Sequence, residues 1–84
     1  MRHGLKIWPV YFDDVSSGRK KFEYRENDRG FFIHDELVLN EYNPQTEAYT
    51  GRSVTVKVTY TLYGGIMGIP ENYVIMGIKR VGKG

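Results

Sequence analysis

The clearest pattern in the chain is a strict alternation of apolar and polar residues over positions 53–62. The apolar positions are Val54, Val56, Val58, Tyr60 and Leu62. The positions between them hold only Ser, Thr or Lys. Successive side chains of a strand point to opposite faces, so this pattern is typical of an antiparallel strand with one buried and one solvated face. We predict such a strand here, with all of these apolar residues towards the core.

Shorter apolar segments predict the remaining strands. They cover residues 5–8, 21–25, 37–42 and 73–79, and the apolar residues 31–33 leave room for a sixth strand. The turns between them are rich in Gly, Pro, Asn and Asp, notably at residues 26–30 and 43–47. Gly77 interrupts the last strand, which predicts a bulge or a close approach of two backbones.

One short helix of about ten residues is predicted near the N-terminus. Pro9 suits its first turn, where a missing N–H leaves no hydrogen bond unmade. Trp8, Phe12 and Val15 follow at i, i+4 and i+7, which predicts one apolar stripe. Gly18 stands where a left-handed residue would end the helix.

These elements predict an α+β, mainly β fold. Many short strands in a small chain bury one face by curling, so we expect a small open β-barrel of five or six mostly antiparallel strands with one short N-terminal helix. The length of 84 residues is enough for one domain, residues 1–84, with its core at about 3–80.

The composition excludes several classes of site. The absence of cysteine rules out disulfides, thiolate metal sites and thiol nucleophiles. No apolar run approaches the ~18 residues of a membrane span, and no secretion signal is visible, so we expect a cytoplasmic protein. His3 and His34 lack a ligand spacing and a third partner, so neither a metal nor a cofactor is expected. A net charge of +2 is too small to indicate nucleic-acid binding by itself.

Residues 18–25 concentrate the most chemistry in the chain. The predicted strand puts Lys21, Glu23 and Arg25 on one face and Phe22 and Tyr24 on the other. Lys20 lies in the turn and can lean over either face. A cation–carboxylate–cation patch backed by aromatics can hold a phosphate, a nucleobase or a polar small molecule. The alternative is an exposed ion pair, which contributes only about 0–1 kcal/mol.

Residues outside this stretch are candidates for the same cleft. Lys6 lies on the predicted neighbouring strand and His3 just before it, although both can equally be outward-facing residues. Asp28 or Arg29 can stand at the cleft rim, or the residues around them can serve only to form a turn.

The arrangement Gly18-x-Lys20-x-x-Glu23-x-Arg25 resembles the signature of the ASCH domain, a family in the PUA-like superfamily of small β-barrels. Further blocks resemble its small stand-alone bacterial and phage branch of unknown function, and the likeness runs from His3 to about Ile78. These blocks are His3-x-Leu5-Lys6, Pro9-x-Tyr11-Phe12, Asn27-Asp28-Arg29, Glu41-Tyr42 and Tyr49-Thr50-Gly51-Arg52. Many relatives have Gly-Asp where this chain has His34-Asp35, so that turn is expected to differ.

The resemblance implies RNA binding through a cleft beside the signature strand. One bacterial branch instead hydrolyses acetylated cytidine with a Lys, a Thr and a Glu. Its Lys corresponds to Lys20, but its Thr nucleophile falls at Glu23. A carboxylate cannot simply replace a hydroxyl in attack on an amide, although it can act as a general base on water. The resemblance therefore favours a binding protein over an enzyme.

Three functions remain open, in this order. The first is a monomeric RNA- or nucleotide-binding module, with site residues His3, Lys6, Lys20, Glu23, Arg25, Asp28 and Arg29. The second is a hydrolase of modified nucleosides that uses Lys20 and Glu23. The third is a protein-interaction module of phage origin.

Overall fold

A computed structural model describes residues 1–81 as a five-stranded mixed sheet that curls into a half-barrel, with one short helix packed against it. The strands are β1 (Arg2–Ile7), β2 (Phe22–Glu26), β3 (Glu36–Asn43), β4 (Ala48–Tyr63) and β5 (Tyr73–Arg80), and the helix is α1 (Pro9–Ser16). The predicted α+β, mainly β class is confirmed. The predicted domain range also includes residues 82–84, which lie outside the described residues.

The spatial order of the strands is β1-β3-β4-β5-β2, so β1 and β2 are the two edges of the sheet. Only the β1–β3 pair is parallel among the four pairs of the described chain. Parallel neighbours need a long crossover connection. Here that crossover contains both α1 and β2, so the chain visits the far edge of the sheet before it returns to form β3.

The core lies between the inner face of the sheet and α1. It consists of Leu5, Ile7, Phe12, Val15, Phe31, Leu37, Leu39, Val54, Val56, Val58, Val74, Met76 and Ile78. Phe12 and Val15 continue the predicted helical stripe, but Trp8 does not, since it is 52% exposed. Trp8 precedes the first helical residue as the N-cap and has an extended backbone, so helical periodicity does not apply to it. Gly18 has φ +85° and donates its N–H to the C=O of Val15, as predicted for the helix end.

A β-bulge breaks the alternation of β4. The register with β5 shifts between Val58 and Tyr60, which leaves Thr59 as the extra residue. The prediction that Tyr60 faces the core is therefore wrong, and its side chain is 65% exposed. Gly77 pairs with Tyr60 at this point, and a Cβ on Gly77 would lie 2.8 Å from the Thr59 hydroxyl oxygen. Gly77 thus marks the bulge that the sequence indicated, although the extra residue lies on β4 rather than on β5.

Some predicted boundaries also move. β1 begins at Arg2 because the buried His3 belongs to its inward-facing set, although a polar residue gives no apolar signal. β4 begins at Ala48, which pairs with Asn43 directly after the turn. The apolar residues 31–33 form no strand, so the count is five rather than six in the described chain.

A charged network joins α1 to the sheet. The Glu41 carboxylate is buried at a register shift of β3, where a bulge re-aims the side chain. Arg52 donates Nε and Nη2 to its two oxygens at 2.8 Å each. Thr50 donates its hydroxyl to the same carboxylate at 2.5 Å, and Arg52 reaches Asp13 of α1 at 3.2 Å. The hydrogen bonds from Arg52 and Thr50 outweigh desolvation and lower the pKa of Glu41 to about 2.

The turn before β3 holds a non-glycine residue in a left-handed conformation. Asp35 donates its N–H to the C=O of Phe32 at 3.1 Å, and His34 between them has φ +81°. This is the pattern of a type II turn, in which glycine is preferred at the position of His34. His34 thus adopts a backbone conformation that glycine would permit without strain.

We expect His34→Gly to be more stable than His34→Ala by about 1 kcal/mol, because alanine retains the left-handed strain and glycine does not. Urea unfolding at neutral pH measures the difference. At the exposed strand residue Lys57 the same pair should show the reverse order, with glycine less stable by roughly 0.5–1 kcal/mol. Equal stability of the two His34 variants would contradict a strained turn.

Glu41 should contribute to acid unfolding. Its folded-state pKa lies below its ordinary value of 4.5, so the stabilisation is present above pH 4.5 and is lost as the pH falls towards about 2. Glu41→Gln should lower stability at neutral pH and flatten the pH dependence of the unfolding free energy in this window. Urea titrations at several pH values measure both effects.

The control Glu47→Gln removes an exposed turn carboxylate that forms no ion pair with the described residues. Its pH profile should follow that of the wild type. A Glu41→Gln profile as steep as the wild type would show that this network does not contribute to the acid transition.

Candidate functional site

The two edge strands β1 and β2 meet across the open side of the half-barrel, and arginine side chains bridge them. Arg25 of β2 donates Nη2 to the C=O of Lys6 at 2.7 Å. Arg29 donates Nη1 to the C=O of Gly4 at 2.8 Å. Gly4 and Lys6 are two residues apart, so their carbonyls point to the same side of β1. We call this bridged gap the seam. Its arginines occupy acceptors that an additional strand would otherwise bind.

Glu23 lies beside the seam with its side chain only 4% exposed. Its Oε1 accepts a hydrogen bond from Arg25 Nε at 2.8 Å, and its Oε2 accepts one from Lys20 Nζ at 2.8 Å. Lys20 also donates to the C=O of Phe22 at 2.7 Å. The structure therefore joins Glu23 and Arg25 to Lys20, rather than to the predicted Lys21, in a partly buried network. We call Lys20, Glu23 and Arg25 the Glu23 cluster.

The turn after α1 decides which lysine joins the cluster. Past Gly18, the N–H of Lys20 bonds the C=O of Asp14 at 2.9 Å, and this fixes the start of β2. Lys20 then reaches forward to Glu23, whereas Lys21 bends back to the C=O of Gly18. Strand parity predicted Lys21 on the face of Glu23, but Lys21 precedes the first strand residue, so the alternation does not include it.

A cleft of about 540 Å³ opens next to the Glu23 cluster. It is lined by Lys6, Ile7, Trp8, Tyr11, Lys20, Phe22, Glu23, Tyr24, Arg25, Glu26 and Tyr73, and we call it the central cleft. Trp8, Tyr11, Phe22 and Tyr24 are each about half exposed. Side chains from both faces of β2 line the cleft, because the cleft runs along the edge of β2 that pairs with no other strand. Its main constituents are thus aromatic faces beside a buried ion cluster.

The aromatic residues are the part of the site that sequence reasoning missed. Phe22 and Tyr24 were expected only to back the charged patch, and Trp8 was expected in the core. Tyr24 stacks on Tyr73 with ring centroids 5.1 Å apart, and the Lys20 ammonium lies 4.6 Å from the Phe22 centroid. The alternation of side chains along β2 could have indicated these residues, since a buried Glu23 places Phe22 and Tyr24 on the outward face.

A second cleft of about 440 Å³ adjoins the first and shares Lys6, Arg25 and Glu26 with it. It is lined by Gly4, Leu5, Lys6, Arg25, Glu26, Asp28, Arg29, Phe31, Asn40 and Tyr49. Asp28 and Arg29 lie here rather than at the central cleft. The Lys6 ammonium stands 4.2 Å from the centroid of the Tyr42 ring. Six of the seven predicted site residues therefore line this pair of clefts, namely Lys6, Lys20, Glu23, Arg25, Asp28 and Arg29.

His3 is the predicted site residue that the structure places elsewhere. It is 6% exposed, lines neither cleft, and its Nε2 lies 3.0 Å from Asp35 Oδ2. Its ring contacts Phe31 edge-to-face at 4.8 Å. Burial alone would raise the pKa of Asp35, but hydrogen bonds from His3, the Met1 ammonium and the Phe32 N–H outweigh it, so the pKa is lowered. His3 is thus part of a buried structural pair.

Across residues 1–81, no group of three or more His, Cys, Asp or Glu side chains is arranged to hold a metal ion. Within the same range, no helix combines the length and apolar character needed to cross a membrane.

The Glu23 cluster retains unused hydrogen-bonding groups at the cleft. Arg25 uses two of its five N–H donors, and the other three have no acceptor among the described residues. The Glu23 carboxylate has lone pairs beyond the two that accept from Lys20 and Arg25. The site can therefore bind a planar polar group edge-on while aromatic side chains contact its faces.

Comparison with solved structures supports the fold. A crystal structure of the hypothetical protein PH0355 superposes with a TM-score of 0.67 at 16% sequence identity, and the match covers 96% of this chain and 100% of that chain. At this identity the likeness concerns the fold alone.

Sequence comparison identifies a phage relative and a family. It is 37% identical over 57 residues to the "Uncharacterized 12.9 kDa protein in GpA 3'region" of Escherichia phage P2. That match covers 68% of this chain and 50% of the phage protein, so the chain spans about half the length of this relative. The family model described as "Domain of unknown function (DUF3850)" matches residues 2–78. The chain therefore belongs to the DUF3850 family.

Proposed function

We propose that this protein is a nucleotide- or RNA-binding module whose ligand base occupies the central cleft. The observation that carries the proposal is the combination of half-exposed aromatic faces with a buried Glu23 carboxylate between two cations. Stacking on an aromatic face suits any base, since every base has a π-face. The Glu23 cluster supplies polar groups beside those faces.

The donors and acceptors of the cluster match the edges of nucleobases. A carboxylate accepts hydrogen bonds from an exocyclic amine such as that of cytosine. The planar arginine fork donates in pairs to phosphate or to base oxygen and nitrogen acceptors. Glu23 and Arg25 thus complement a base edge, while Lys20 and Lys6 provide positive charge for a phosphate.

We further propose that the chain is an ASCH-like, PUA-like module. The signature residues Lys20, Glu23 and Arg25 form one hydrogen-bonded cluster beside a cleft, which is what a shared ligand site would require. The half-barrel of five strands with one helix agrees with the expected architecture. Gly18, the first signature residue, has the positive φ that makes glycine favourable at the helix end.

Binding is favoured over hydrolysis by the residues of the central cleft. None of its lining residues in the described chain is Ser, Thr or Cys, so it lacks the usual nucleophiles. Both Glu23 oxygens accept hydrogen bonds from cations of the Glu23 cluster rather than from a hydroxyl nucleophile.

We expect Tyr24→Ala to weaken the binding of nucleoside monophosphates by roughly 5- to 150-fold, which corresponds to the ~1–3 kcal/mol of one base–aromatic stack. The half-exposed ring can be removed without opening the core. Amide chemical-shift titration of the isotopically labelled protein with each monophosphate measures the dissociation constants and maps the site.

Tyr60→Ala is the matched control, because Tyr60 is an exposed strand tyrosine that lines neither cleft. It should bind like the wild type. Substitution of Glu23 is a poorer test, since it also leaves the charges of Lys20 and Arg25 without a partner at the seam.

Two outcomes would overturn the proposal. The first is the absence of shifts at the central cleft with every monophosphate and with short single-stranded RNA. Capture of one host protein, insensitive to nuclease, would then favour an interaction module. The second is release of cytidine when acetylated cytidine is included in the panel, which would identify a hydrolase.

A further inference from the structure

A third cleft adjoins the central cleft at a different residue from the second cleft. It has a volume of about 180 Å³ and adjoins the central cleft at Lys20, which lines both. It is lined by Val15, Gly18, Lys20, Lys21, Val56, Ile78, Lys79 and Arg80. The second cleft adjoins the central cleft at Lys6, Arg25 and Glu26. The three clefts are therefore linked through shared lining residues, and we call them together the trough.

Positive charge is concentrated along this trough. Seven of the twelve Lys and Arg residues of the chain line it, namely Lys6, Lys20, Lys21, Arg25, Arg29, Lys79 and Arg80. Its acidic lining residues are Glu23, Glu26 and Asp28, and Glu23 is already neutralised by two cations. The trough is thus clearly cationic although the chain as a whole carries only +2.

Three of the four cations that line the third cleft lack anionic partners in the described structure. Lys21, Lys79 and Arg80 form no ion pair with any carboxylate of residues 1–81. Lys79 pairs across the sheet with Lys57, and like charges at directly opposed positions repel. A bound anion next to Lys79 would relieve this repulsion. The third cleft therefore complements negative charge that the chain itself does not supply.

We propose that the ligand of this trough is a single-stranded oligonucleotide of about three or more nucleotides, one for each cleft. A base stacks in the central cleft, and the phosphates on either side contact the second and third clefts. This inference rests on the proposed function and extends it from a nucleotide to a strand. A duplex does not fit, because its bases are already stacked and cannot reach the aromatic faces.

The test compares a fluorescent pentanucleotide pool of random sequence, as RNA and as DNA, with the four nucleoside monophosphates. The pool should bind at least about tenfold more tightly than any monophosphate at low salt. Its affinity should fall with salt between about 50 and 200 mM, and each lost phosphate contact should reduce the logarithmic slope by about 0.7. Fluorescence anisotropy measures the pool, and competition measures the monophosphates.

Lys21→Gln/Lys79→Gln removes two exposed cations of the third cleft. We expect its salt slope for the pool to fall by about 1.4 and its affinity for monophosphates to stay unchanged. The matched control Arg2→Gln/Arg19→Gln removes the same charge from exposed residues that line none of the three clefts. It should leave the slope for the pool close to that of the wild type.

The outcomes separate this inference from the proposed function. Monophosphates that bind the central cleft as tightly as the pool, with the same salt slope, would contradict the oligonucleotide ligand. They would still support a nucleotide site in the central cleft. Equal slopes for the two double variants would contradict the oligonucleotide ligand too, and so would a short polyglutamate that competes as well as the pool. Failure of both pool and monophosphates to bind would reject the proposed function itself.

Discussion

The contacts of Arg25 determine how the open side of the half-barrel is organised. Its Nε is paired with the buried Glu23 carboxylate, and its Nη2 bonds a carbonyl on the opposite edge strand. A sheet that does not close leaves two rows of unpaired backbone groups, which are prone to pair with other chains. Here one guanidinium bridges both edges and still keeps donors towards the cleft. The site is therefore the place where the barrel fails to close.

The pairing with Arg25 and Lys20 explains why the Glu23 carboxylate can be buried. Taking a charge out of water is costly unless it is paired and hydrogen-bonded, and Glu23 has both kinds of partner. Glu41 shows the same solution on β3, where Arg52 and Thr50 hold it and connect the sheet to α1. The two networks differ in their surroundings, since Glu41 adjoins the helix while Glu23 borders the central cleft with its aromatic walls.

The sequence predicted the elements well because their signals are local. Gly18 at the helix end, the alternation of β4 up to Val58 and the turn before Ala48 each depend on a few neighbouring residues. Tyr60 could not be placed in this way, because the bulge that turns it outward depends on its pairing with Gly77 on another strand. Trp8 was misplaced because helical periodicity was extended to it, although it precedes the first helical residue.

The candidate site was predictable only in part, for the same reason. The signature placed Lys20, Glu23 and Arg25 near one another, since they lie within one turn and one strand. The burial of His3 against Asp35 and the crossing of Arg29 to Gly4 join residues more than twenty positions apart, so no local pattern indicates them.

The small net charge of the chain does not indicate the local charge of the trough. Several carboxylates are paired away from the trough. Glu41 and Asp13 bind Arg52, and Asp35 binds His3 and the Met1 ammonium. Summed over the sequence, ten acidic residues against twelve Lys and Arg residues leave only +2, which hides the excess of cations along the trough. A ligand, however, experiences the local field of the surface that it contacts, because charges beyond about 8–10 Å are largely screened at physiological ionic strength. Composition therefore reports the balance of the whole chain, and the fold decides where the unbalanced charge lies.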